Sequence, residues 1–443
     1  MASIEQLHQV FQLSAGICTD TRKPLPGGLF FALSGPNFNA NAFAAQALAK
    51  GCAYAVVDDP AVATDERFTV VPDTLKALQD LAREHRRSFD IPVIGITGTN
   101  GKTTTKELLH AVLETDKSTL ATEGNLNNHI GVPLTLLKLK PEHRIAIIEM
   151  GASKRGDIAE LCAIAEPTHG LITNIGKAHL EGFGSVEGVV ATKTELYAWL
   201  REHQGTAFVN GDDPLLMEKS EGIAKRITYG TGEQNRVQGD FIDGPAPYLN
   251  FYFSVPSPAG VPTVPGFPNG WHCETRLVGT YNLPNALAAV AVGKYFGVPD
   301  DFITDAICSY EPANSRSQFK DTGRNQLILD AYNANPTSMA AALTNFEHLK
   351  SDRSKLAILG DMLELGAVSQ AEHKGIIELC KKLGLEAIYV GSEFAQAATG
   401  ADVRSYPAAA DALKALQADA PTGRLILVKG SRGVKLEEVV TVL

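Results

Sequence analysis

Between residues 92 and 211, short apolar segments alternate with segments of helical periodicity, and this alternation limits the fold more than any other feature of the chain. Four of the apolar segments read VIGIT, RIAIIEM, HGLITNI and GTAFVNG, and each has the length of a buried strand. Parallel strands need long crossover connections, usually helices, whereas antiparallel strands can be joined by short turns. The alternation therefore predicts a parallel sheet with helices packed on its faces.

The chain of 443 residues is long enough for roughly two to four domains, and we predict an α/β protein of three. Residues 1–90 form a small α/β domain, residues 91–312 form the central parallel-sheet domain, and residues 313–443 form a Rossmann-like domain. Near the end of the central domain, the segments YLNFYFSV and WHCETRLVG flank PSPAGVPTVPGFPNG, which is rich in proline and glycine. We interpret these two segments as an inserted pair of antiparallel strands.

Two predicted helices of the central domain affect the position of a site. The segment SVEGVVATKTELYAWL is predicted as one continuous helix, and it contains Lys193. By pattern alone this lysine is an ordinary solvated residue. The segment NLPNALAAVAVGKYFG is predicted as the other helix, with Asn282 as its N-cap.

The stretch IGITGTNGKTTTK follows the first central strand and has the composition of a phosphate-binding loop. It departs from the pattern G-x-x-x-x-G-K-[ST], because Ile96 stands where that pattern has its first glycine. The N–H groups of a glycine-rich turn at a helix N-terminus nevertheless bind anions. We therefore predict a nucleotide site, in which Lys102 reaches the phosphates and the Thr103 hydroxyl holds Mg²⁺. The predicted loop residues are Thr97, Gly98, Thr99, Asn100, Gly101, Lys102, Thr103 and Thr104.

Two further candidates lie at predicted strand ends of the central domain. A phosphate loop is commonly joined by an acid at the end of a neighbouring strand, and Glu149 ends RIAIIEM. The alternative is an acid that is only exposed to solvent. His179 follows HGLITNI, at the carboxyl edge of the predicted sheet, where ligands collect. The alternative for a lone histidine is a surface or core position.

Polar loops elsewhere supply candidates for substrate recognition. The segment TEGNLNNHIGVP carries Asn125, Asn127 and Asn128, whose amides suit sugar or amide groups, although it could also be an ordinary turn. In the third domain, polar residues end three predicted strands, LILDAYNANPTSM, AILGDMLELG and LVKGSRG, so the strand tips are predicted to line one ligand face. The candidates in the first of these segments are Asp330, Tyr332, Asn333 and Asn335.

The composition argues against several classes of protein. A formal charge of −10 does not suit a general nucleic-acid or membrane-surface binder. The chain has no run of about 18 apolar residues that could insert into a membrane. The six cysteines include no CxxC pair, which predicts reduced thiols and a cytoplasmic location rather than a disulfide framework or a zinc site.

Six segments taken together resemble the Mur ligase family, and the resemblance extends over essentially the whole chain. They are GTNGKTTTK, TEGNLNNHIGVPLTLL, IIEMGAS, AHLEGFGS, DAYNANPTSM and LGDMLELG. The N-terminal TDTRKPLPGGLFFALSGPNF resembles the UDP-binding domain of the family. The resemblance implies a monomeric, cytoplasmic, ATP-dependent amide ligase of peptidoglycan precursor synthesis. Its motifs are most similar to those of the members that join D-alanyl-D-alanine to UDP-MurNAc-tripeptide through an acyl phosphate.

The resemblance also implies a role for each domain and for individual residues. The first domain would bind the UDP-muropeptide, the central domain ATP, and the third domain the incoming dipeptide. Thr103 and Glu149 would hold one Mg²⁺, and His179 would help to hold a second metal ion. Lys193 matches the family lysine that is carbamylated by CO₂, which would make it an anion facing the metal or Lys102. The other implied contacts are Asn282, Arg316 and Asp330 for the nucleotide, and Thr21, Arg22, Asn125, Asn128, Tyr332, Asn333 and Asn335 for the substrates.

Two alternatives stand beside this interpretation. The first is a related Mur ligase that adds a diamino acid, namely diaminopimelate or lysine. Such enzymes carry the signature D-N-P-R in the third domain, where this sequence reads YNANPTSM. The second alternative, from a different class, is a P-loop kinase or NTPase that performs no ligation and would release ADP without a dipeptide.

Overall fold

The computed structural model describes residues 3–35, 38–243, 247–254, 270–312 and 316–443. Within these ranges the strands form three sheets, one in each predicted domain, of four, nine and six strands. Almost all of the segment PSPAGVPTVPGFPNG lies outside the described residues, and so do the residues at the predicted boundary near 313. The domain limits themselves stay predictions.

The first sheet is small and entirely parallel, with its strands in sequence order. A 3₁₀ turn over Ala40–Phe43 directly precedes the short helix Ala44–Ala49 in this domain. The strands are β1 (Ile17–Cys18), β2 (Leu29–Phe31), β3 (Tyr54–Val57) and β4 (Phe68–Val70), and the helices are α1 (Ile4–Gln12), α2 (Ala44–Ala49) and α3 (Thr74–Arg87).

The central sheet has the alternating strands and helices that the sequence predicts. Its strands are β5 (Val93–Thr97), β6 (Thr119–Ala121), β7 (Ile145–Glu149), β8 (His169–Ile172), β9 (Thr206–Asn210), β10 (Lys225–Gly230), β11 (Val237–Phe241), β12 (Tyr248–Ser254) and β13 (Gly270–Val278). Its helices are α4 (Lys102–Glu114), α5 (Gly131–Leu136), α6 (Asp157–Ala165), α7 (Leu180–Phe183), α8 (Val186–Lys193), α9 (Glu195–Glu202), α10 (Pro214–Lys219), α11 (Leu283–Tyr295) and α12 (Asp300–Ser309).

The order of the central strands is β13-β12-β11-β10-β9-β8-β5-β7-β6. Strands β6 and β7 lie on one side of β5, and β8 to β13 lie on the other, so the strand order reverses at β5. Both neighbours of β5, namely β7 and β8, pair with it in parallel. Such a switch point opens a crevice at the carboxyl ends of the strands, where α/β proteins bind ligands. Strands β12 and β13 are antiparallel, as predicted for the inserted pair, and they extend one edge of the sheet.

The helix predicted over SVEGVVATKTELYAWL is in fact two helices, α8 and α9, so this prediction was wrong. The interruption falls at Thr194. Its hydroxyl donates to the carbonyls of Val190 at 2.9 Å and Ala191 at 3.1 Å. The backbone of Thr194 itself keeps right-handed helical angles, and Lys193 is the last residue of α8.

The third sheet is parallel except for its first strand, and its order is β14-β15-β19-β16-β17-β18. The carboxyl ends of β15, β19 and β16 are neighbours, since Lys429 pairs with both Asp330 and Leu359. The strands are β14 (Gln318–Asp321), β15 (Gln326–Asp330), β16 (Ser354–Gly360), β17 (Ala387–Val390), β18 (Arg404–Tyr406) and β19 (Arg424–Lys429). The helices are α13 (Pro336–His348), α14 (Ser369–Lys382), α15 (Ser392–Ala397), α16 (Ala409–Ala418) and α17 (Glu437–Val440).

The first sheet is fixed to the central one by a shared apolar core. Leu78 and Leu81 of α3 belong to the same buried cluster as Val132 of α5 and Leu161 of α6. Arg86, also in α3, is buried and its Nε donates to the carbonyl of Ala165 at 3.1 Å. Burial of continuous apolar surface makes this a firm contact. In the part of the chain that the structure describes, none of the helices combines the length and apolar character needed to cross a membrane.

Candidate active site

A cavity of about 720 Å³ lies at the carboxyl ends of β5, β7 and β8 and is closed on its far side by the third domain. Most of the residues that the sequence singles out meet there. They are Thr99, Asn100, Gly101, Lys102, Thr103, Thr104, Asn125, Asn128, Glu149, His179, Asn282, Arg316, Asp330, Tyr332, Asn333 and Asn335. A single cavity thus collects polar groups from two α/β sheets.

The loop between β5 and α4 has the backbone shape of an anion site. Gly98 and Gly101 have φ values of 143° and 79°, in the region that favours glycine. There is also no space for a side chain, because a Cβ at Gly98 would lie 2.0 Å from Thr173 Oγ1. Helix α4 begins at Lys102, so its free N–H groups face the cavity. The glycine missing from position 96 is not needed, since Ile96 belongs to the buried strand.

Lys102 lies inside this loop and its cation is bound by the loop backbone. Its Nζ donates to the carbonyls of Gly98 at 2.7 Å and Thr99 at 3.1 Å. Burial lowers the pKa of Lys102, while the charge of Glu149 opposes that effect. The cation lies where a phosphate bound to the loop would meet it.

Thr97 and Gly98 belong to the predicted loop set but do not line the cavity. Thr97 is fully buried, and its hydroxyl donates to the carbonyl of Met150 at 2.9 Å. This bond joins the end of β5 to the residue after β7. Thr97 and Gly98 therefore support the loop from the side of the strand rather than from the cavity.

Glu149 ends β7 and is only 2 % exposed, although it lines the cavity. Its Oε1 accepts a hydrogen bond, but its Oε2 is buried without any hydrogen-bond partner. A buried carboxylate oxygen without a partner is costly, and a cation would relieve that cost. Thr103, at the start of α4, lines the same cavity. The pair fits Mg²⁺, which is commonly bound by few carboxylates together with phosphates.

His179 lies beside the same cavity but is paired with an acid of the third domain. Its Nδ1 contacts a carboxylate oxygen of Glu364, and both residues have left-handed backbone angles, with φ of 50° and 64°. Backbone strain of this kind is concentrated at functional sites. Burial lowers the pKa of His179, as do the charges of Lys102 and Lys193, against the opposing charge of Glu364. Among the described residues, His179 belongs to no group of three metal-ligating side chains, so its metal role stays a prediction.

Lys193 is not a solvated lysine, as the sequence pattern alone suggested, since it is 2 % exposed, and it does not line the cavity. Its Nζ is 5.6 Å from the ring centroid of Phe183. Burial, followed by the positive charge of Lys102, lowers the pKa of Lys193 to about 7. A lysine with such a pKa has a substantial uncharged, nucleophilic fraction near neutral pH.

Asn282 stands at the N-cap position of α11 but does not cap the helix, contrary to the prediction. Its Nδ2 instead donates to the carbonyl of Val278 at 2.9 Å, which leaves the residue buried in the cavity wall. Asn285, which the sequence analysis missed, donates to Asn282 Oδ1 at 3.0 Å and accepts from Thr105 Oγ1 at 3.1 Å. Its Oδ1 would lie 2.6 Å from a Cβ at Gly101, so it packs against the phosphate loop.

The third domain contributes charged and aromatic groups to the cavity. The Arg316 guanidinium lies 3.6 Å from the ring centroid of Tyr332, within the range of cation–π attraction. Asp330 accepts a hydrogen bond from Lys429 Nζ at 2.5 Å. These groups stand at the ends of neighbouring strands, as the three polar strand ends predict.

Some predicted substrate residues have other partners or positions. Asn128 Oδ1 accepts from the N–H groups of Ile130 at 3.1 Å and Gly131 at 2.9 Å, at the start of α5. Thr21 and Arg22 lie in the first domain and do not line the cavity. Arg22 forms an exposed ion pair with Asp20, which lowers the pKa of that carboxyl to about 2.

A phosphate loop beneath a cavity that a second α/β domain closes defines a nucleotide-dependent enzyme of the P-loop class. Residues 96–293 match the Mur ligase middle domain, and residues 315–432 match the Mur ligase, glutamate ligase domain. The chain is 37% identical over 436 residues to the UDP-N-acetylmuramoyl-tripeptide--D-alanyl-D-alanine ligase of Bacillus subtilis, which covers 96% of this chain and 92% of that protein. The Escherichia coli protein of the same name is 36% identical, over 96% of this chain and 93% of that protein. The chain belongs to the Mur ligase family.

Solved structures agree with this assignment. The fold is similar to that of MurF from Acinetobacter baumannii, with a TM-score of 0.86 and 33% identity over 99% of this chain and 98% of that one. It is also similar to MurF ligase from Thermotoga maritima in complex with ADP, with a TM-score of 0.85 and 26% identity over 100% of this chain and 98% of that one. The three-sheet α/β architecture is therefore that of the Mur ligases.

Proposed function

We propose that this protein is the ATP-dependent ligase that joins D-alanyl-D-alanine to UDP-MurNAc-tripeptide. The observation that carries the proposal is the cavity itself, in which a phosphate loop, an unpartnered carboxylate oxygen of Glu149 and the strand ends of the third domain face one another. Relatives from several bacteria that cover nearly the whole chain carry the name of this activity. A ligase must bring three substrates together, and a cavity between two α/β sheets suits that task.

The proposed chemistry explains why a phosphate loop is needed. A carboxylate is a poor electrophile, so the terminal carboxylate of the tripeptide receives the γ-phosphoryl group of ATP, and ADP leaves. The amine of the dipeptide then attacks the carbonyl carbon of the acyl phosphate, and inorganic phosphate leaves as the amide bond forms. Two anions must approach in the first step, and Lys102 would reduce their repulsion because its cation lies in the loop.

Thr103 and Glu149 would hold Mg²⁺, which screens charge on the phosphates when bound. The unpartnered Glu149 Oε2 supports this role. His179 would help to hold a second metal ion, through the ring nitrogen that does not face Glu364. Asn282, Arg316 and Asp330 would contact the nucleotide from two sides of the cavity.

Lys193 would be carbamylated by CO₂. Carbamylation requires an uncharged amine, and the lowered pKa of Lys193 of about 7 supplies one near neutral pH. The product is an anion, which would remove the repulsion between Lys193 and Lys102 and replace it with attraction. The modified side chain would thereby fix Lys102 or face a metal ion.

The substrates would enter from different domains. Residues 1–90, with Thr21 and Arg22, would bind the UDP-muropeptide, and Asn125 and Asn128 would line its peptide. Residues 313–443, with Tyr332, Asn333 and Asn335, would present the dipeptide to ATP on residues 91–312. All six cysteines are free, which supports a reducing compartment, and we propose that the protein acts as a cytoplasmic monomer.

A coupled assay tests the proposal. ADP release is measured with UDP-MurNAc-tripeptide present, with and without D-alanyl-D-alanine, and the ligated product is detected by mass. The ligase should release ADP at a sustained rate only when the dipeptide is present. Sustained release without the dipeptide would instead indicate a kinase or NTPase. Parallel reactions that offer diaminopimelate or lysine with each UDP-muropeptide test the related ligases, and product from these alone would overturn the proposed acceptor.

A further inference from the structure

The side chain of Asn127, which the sequence suggested only as part of a substrate-recognition loop, contacts the proposed metal ligand Glu149. Its Nδ2 donates to Glu149 Oε1 at 2.8 Å. The other carboxylate oxygen, Oε2, is buried and has no partner. One oxygen is therefore held by an amide, and only the other is available to a cation. We propose that Asn127 is a positioning residue, which fixes the rotation of the Glu149 carboxylate so that Oε2 points at the cation. The inference rests on the cation site of the proposed function.

The backbone of Asn127 is held on both sides, which limits how far its side-chain amide can move with the carboxylate. Its N–H donates to the carbonyl of Asn125 at 2.8 Å, and its own carbonyl accepts from the N–H of Gly151 at 2.7 Å. Gly151 lies two residues after Glu149 in the chain. The backbone of Asn127 is thus anchored next to the strand end that carries the carboxylate.

Gly151 allows this close approach because it has no side chain. A Cβ at this position would lie 2.8 Å from Asn127 Oδ1 and 2.9 Å from its Cγ, closer than real contacts permit. A substitution of Gly151 would therefore displace the Asn127 amide without changing Asn127 itself. The contact between Asn127 and Glu149 can therefore be broken in two independent ways, by replacing Asn127 or by replacing Gly151.

The backbone of Glu149 is held by a second set of polar contacts. Its N–H donates to Thr122 Oγ1 at 3.0 Å, and the carbonyl of Thr122 accepts from the buried Lys106 Nζ at 2.7 Å. These contacts fix the position of Glu149 but do not touch its carboxylate. Among the described residues, Asn127 alone donates a hydrogen bond to the Glu149 carboxylate. This bond restricts rotation about the last side-chain bond of Glu149.

Groups that orient a metal ligand typically change metal affinity by roughly 10–100-fold when they are removed. Asn127→Leu removes the donor with little change in volume and no change in charge. Gly151→Ala displaces the donor. Glu123→Gln is the matched control, because it removes only an exposed ion pair with Lys138 in the same loop. All three variants leave the Glu149 carboxylate itself in place.

The test measures Mn²⁺ affinity of the full-length protein by electron paramagnetic resonance in the presence of ADP. Affinity for ADP in EDTA and the urea midpoint of unfolding are measured beside it. N127L and G151A should bind Mn²⁺ at least tenfold more weakly, with unchanged affinity for metal-free ADP, and raised Mg²⁺ should restore part of kcat. E123Q should match the wild type in every measurement.

If folded N127L binds Mn²⁺ as tightly as the wild type does, the inference is overturned. An equal loss of metal-free ADP affinity would also overturn it, because that loss would indicate a general distortion of the loop. If N127L does not fold, the affinities of G151A for Mn²⁺ and for metal-free ADP decide whether the inference holds. A wild-type protein that binds Mn²⁺ with ADP but joins no dipeptide would disprove the proposed ligase activity and leave the role of Asn127 standing.

Discussion

Asn335 of the third domain donates a hydrogen bond from its Nδ2 to Oδ1 of Asn100 in the phosphate loop, at 2.7 Å. The reverse contact, from Asn100 Nδ2 to Asn335 Oδ1, measures 3.5 Å. This pair of amides joins the loop that would carry the phosphates to the start of α13. A neighbouring contact supports it, since the N–H of Lys177 donates to Thr337 Oγ1 at 3.1 Å. The position of the third domain is therefore linked directly to the phosphate loop.

We expect the contact between these two amides to stabilise the closed arrangement in which the substrates meet. Asn335 also caps α13, because its Oδ1 accepts from the N–H of Ser338 at 2.9 Å. Asn335→Asp keeps an acceptor for the cap but loses the donor to Asn100, whereas Asn335→Ala loses both. Both variants should lower kcat, and only N335A should lose about 1 kcal/mol of stability from the missing cap.

Steady-state kinetics, urea unfolding and small-angle scattering check this prediction. The wild type should become more compact with an ATP analogue and muropeptide, and N335D should do so less. Asn345→Ala is a suitable control, because Asn345 Oδ1 accepts from the N–H of Thr280 at 3.1 Å, between the same two domains but outside the cavity. A normal kcat in N335D would mean that the amide pair plays no part in closure.

Replacement of Lys102 by alanine should lower kcat about 10²–10³-fold, which is the usual effect of removing one preorganised group at a developing charge. The loop should survive, since its shape is set by Gly98 and Gly101 rather than by the lysine. Lys117→Ala is the matched control, because Lys117 lies beyond the other end of α4, paired with Asp116. Single-turnover measurement of ADP formation is the test, and near-normal turnover in K102A would disprove the assignment of the loop.

The alternation of strands and helices was enough to predict the parallel central sheet, because buried strands and crossover helices have different periodicities. The division into α8 and α9 at Thr194 was not predictable, since threonine also occurs inside continuous helices. The side-chain role of Asn282 was also misjudged. An asparagine before a helix is usually a cap, but here Val278 competes for its amide.

The site was predicted where chemistry is local in sequence and missed where it depends on packing. The loop around Lys102 and the acid Glu149 can be recognised by residue type and by position after a strand. Asn285 cannot, and Asn127 could be assigned only to a substrate loop, because amides on a turn or a helix are common and their partners lie far away in sequence. Lys193 was singled out only through resemblance to the family, since its burial is a property of the folded chain.

Lys193→Ala should have almost no ligase activity, and short carboxylates such as formate or acetate should restore part of it by occupying the space of a carbamate. Because Lys193 is buried, the rescuing anion must be small. Lys154→Ala, at an exposed position of the same domain, should be unaffected by added carboxylate. Rates with and without the carboxylate, at constant ionic strength, provide the measurement. If K193A is active, or if rescue is equal in both variants, the carbamate is disproved.

Lys193 also predicts how stability depends on pH in CO₂-free buffer. Its pKa is lowered from 10.5 to about 7 in the folded protein, mainly by burial, so between these values the unfolded chain binds more protons than the folded one. Stability therefore rises with pH through this window, by up to about 1.4 kcal/mol per pH unit, and below pH 7 the full cost of burying the ammonium remains.

The variant Lys193→Met has no titratable group at this position. The difference in unfolding free energy between K193M and the wild type should be largest at pH 6–7 and should shrink towards pH 10, as measured by urea unfolding. Parallel pH profiles for the two proteins would mean that Lys193 titrates like a solvated lysine and is not poised for carbamylation.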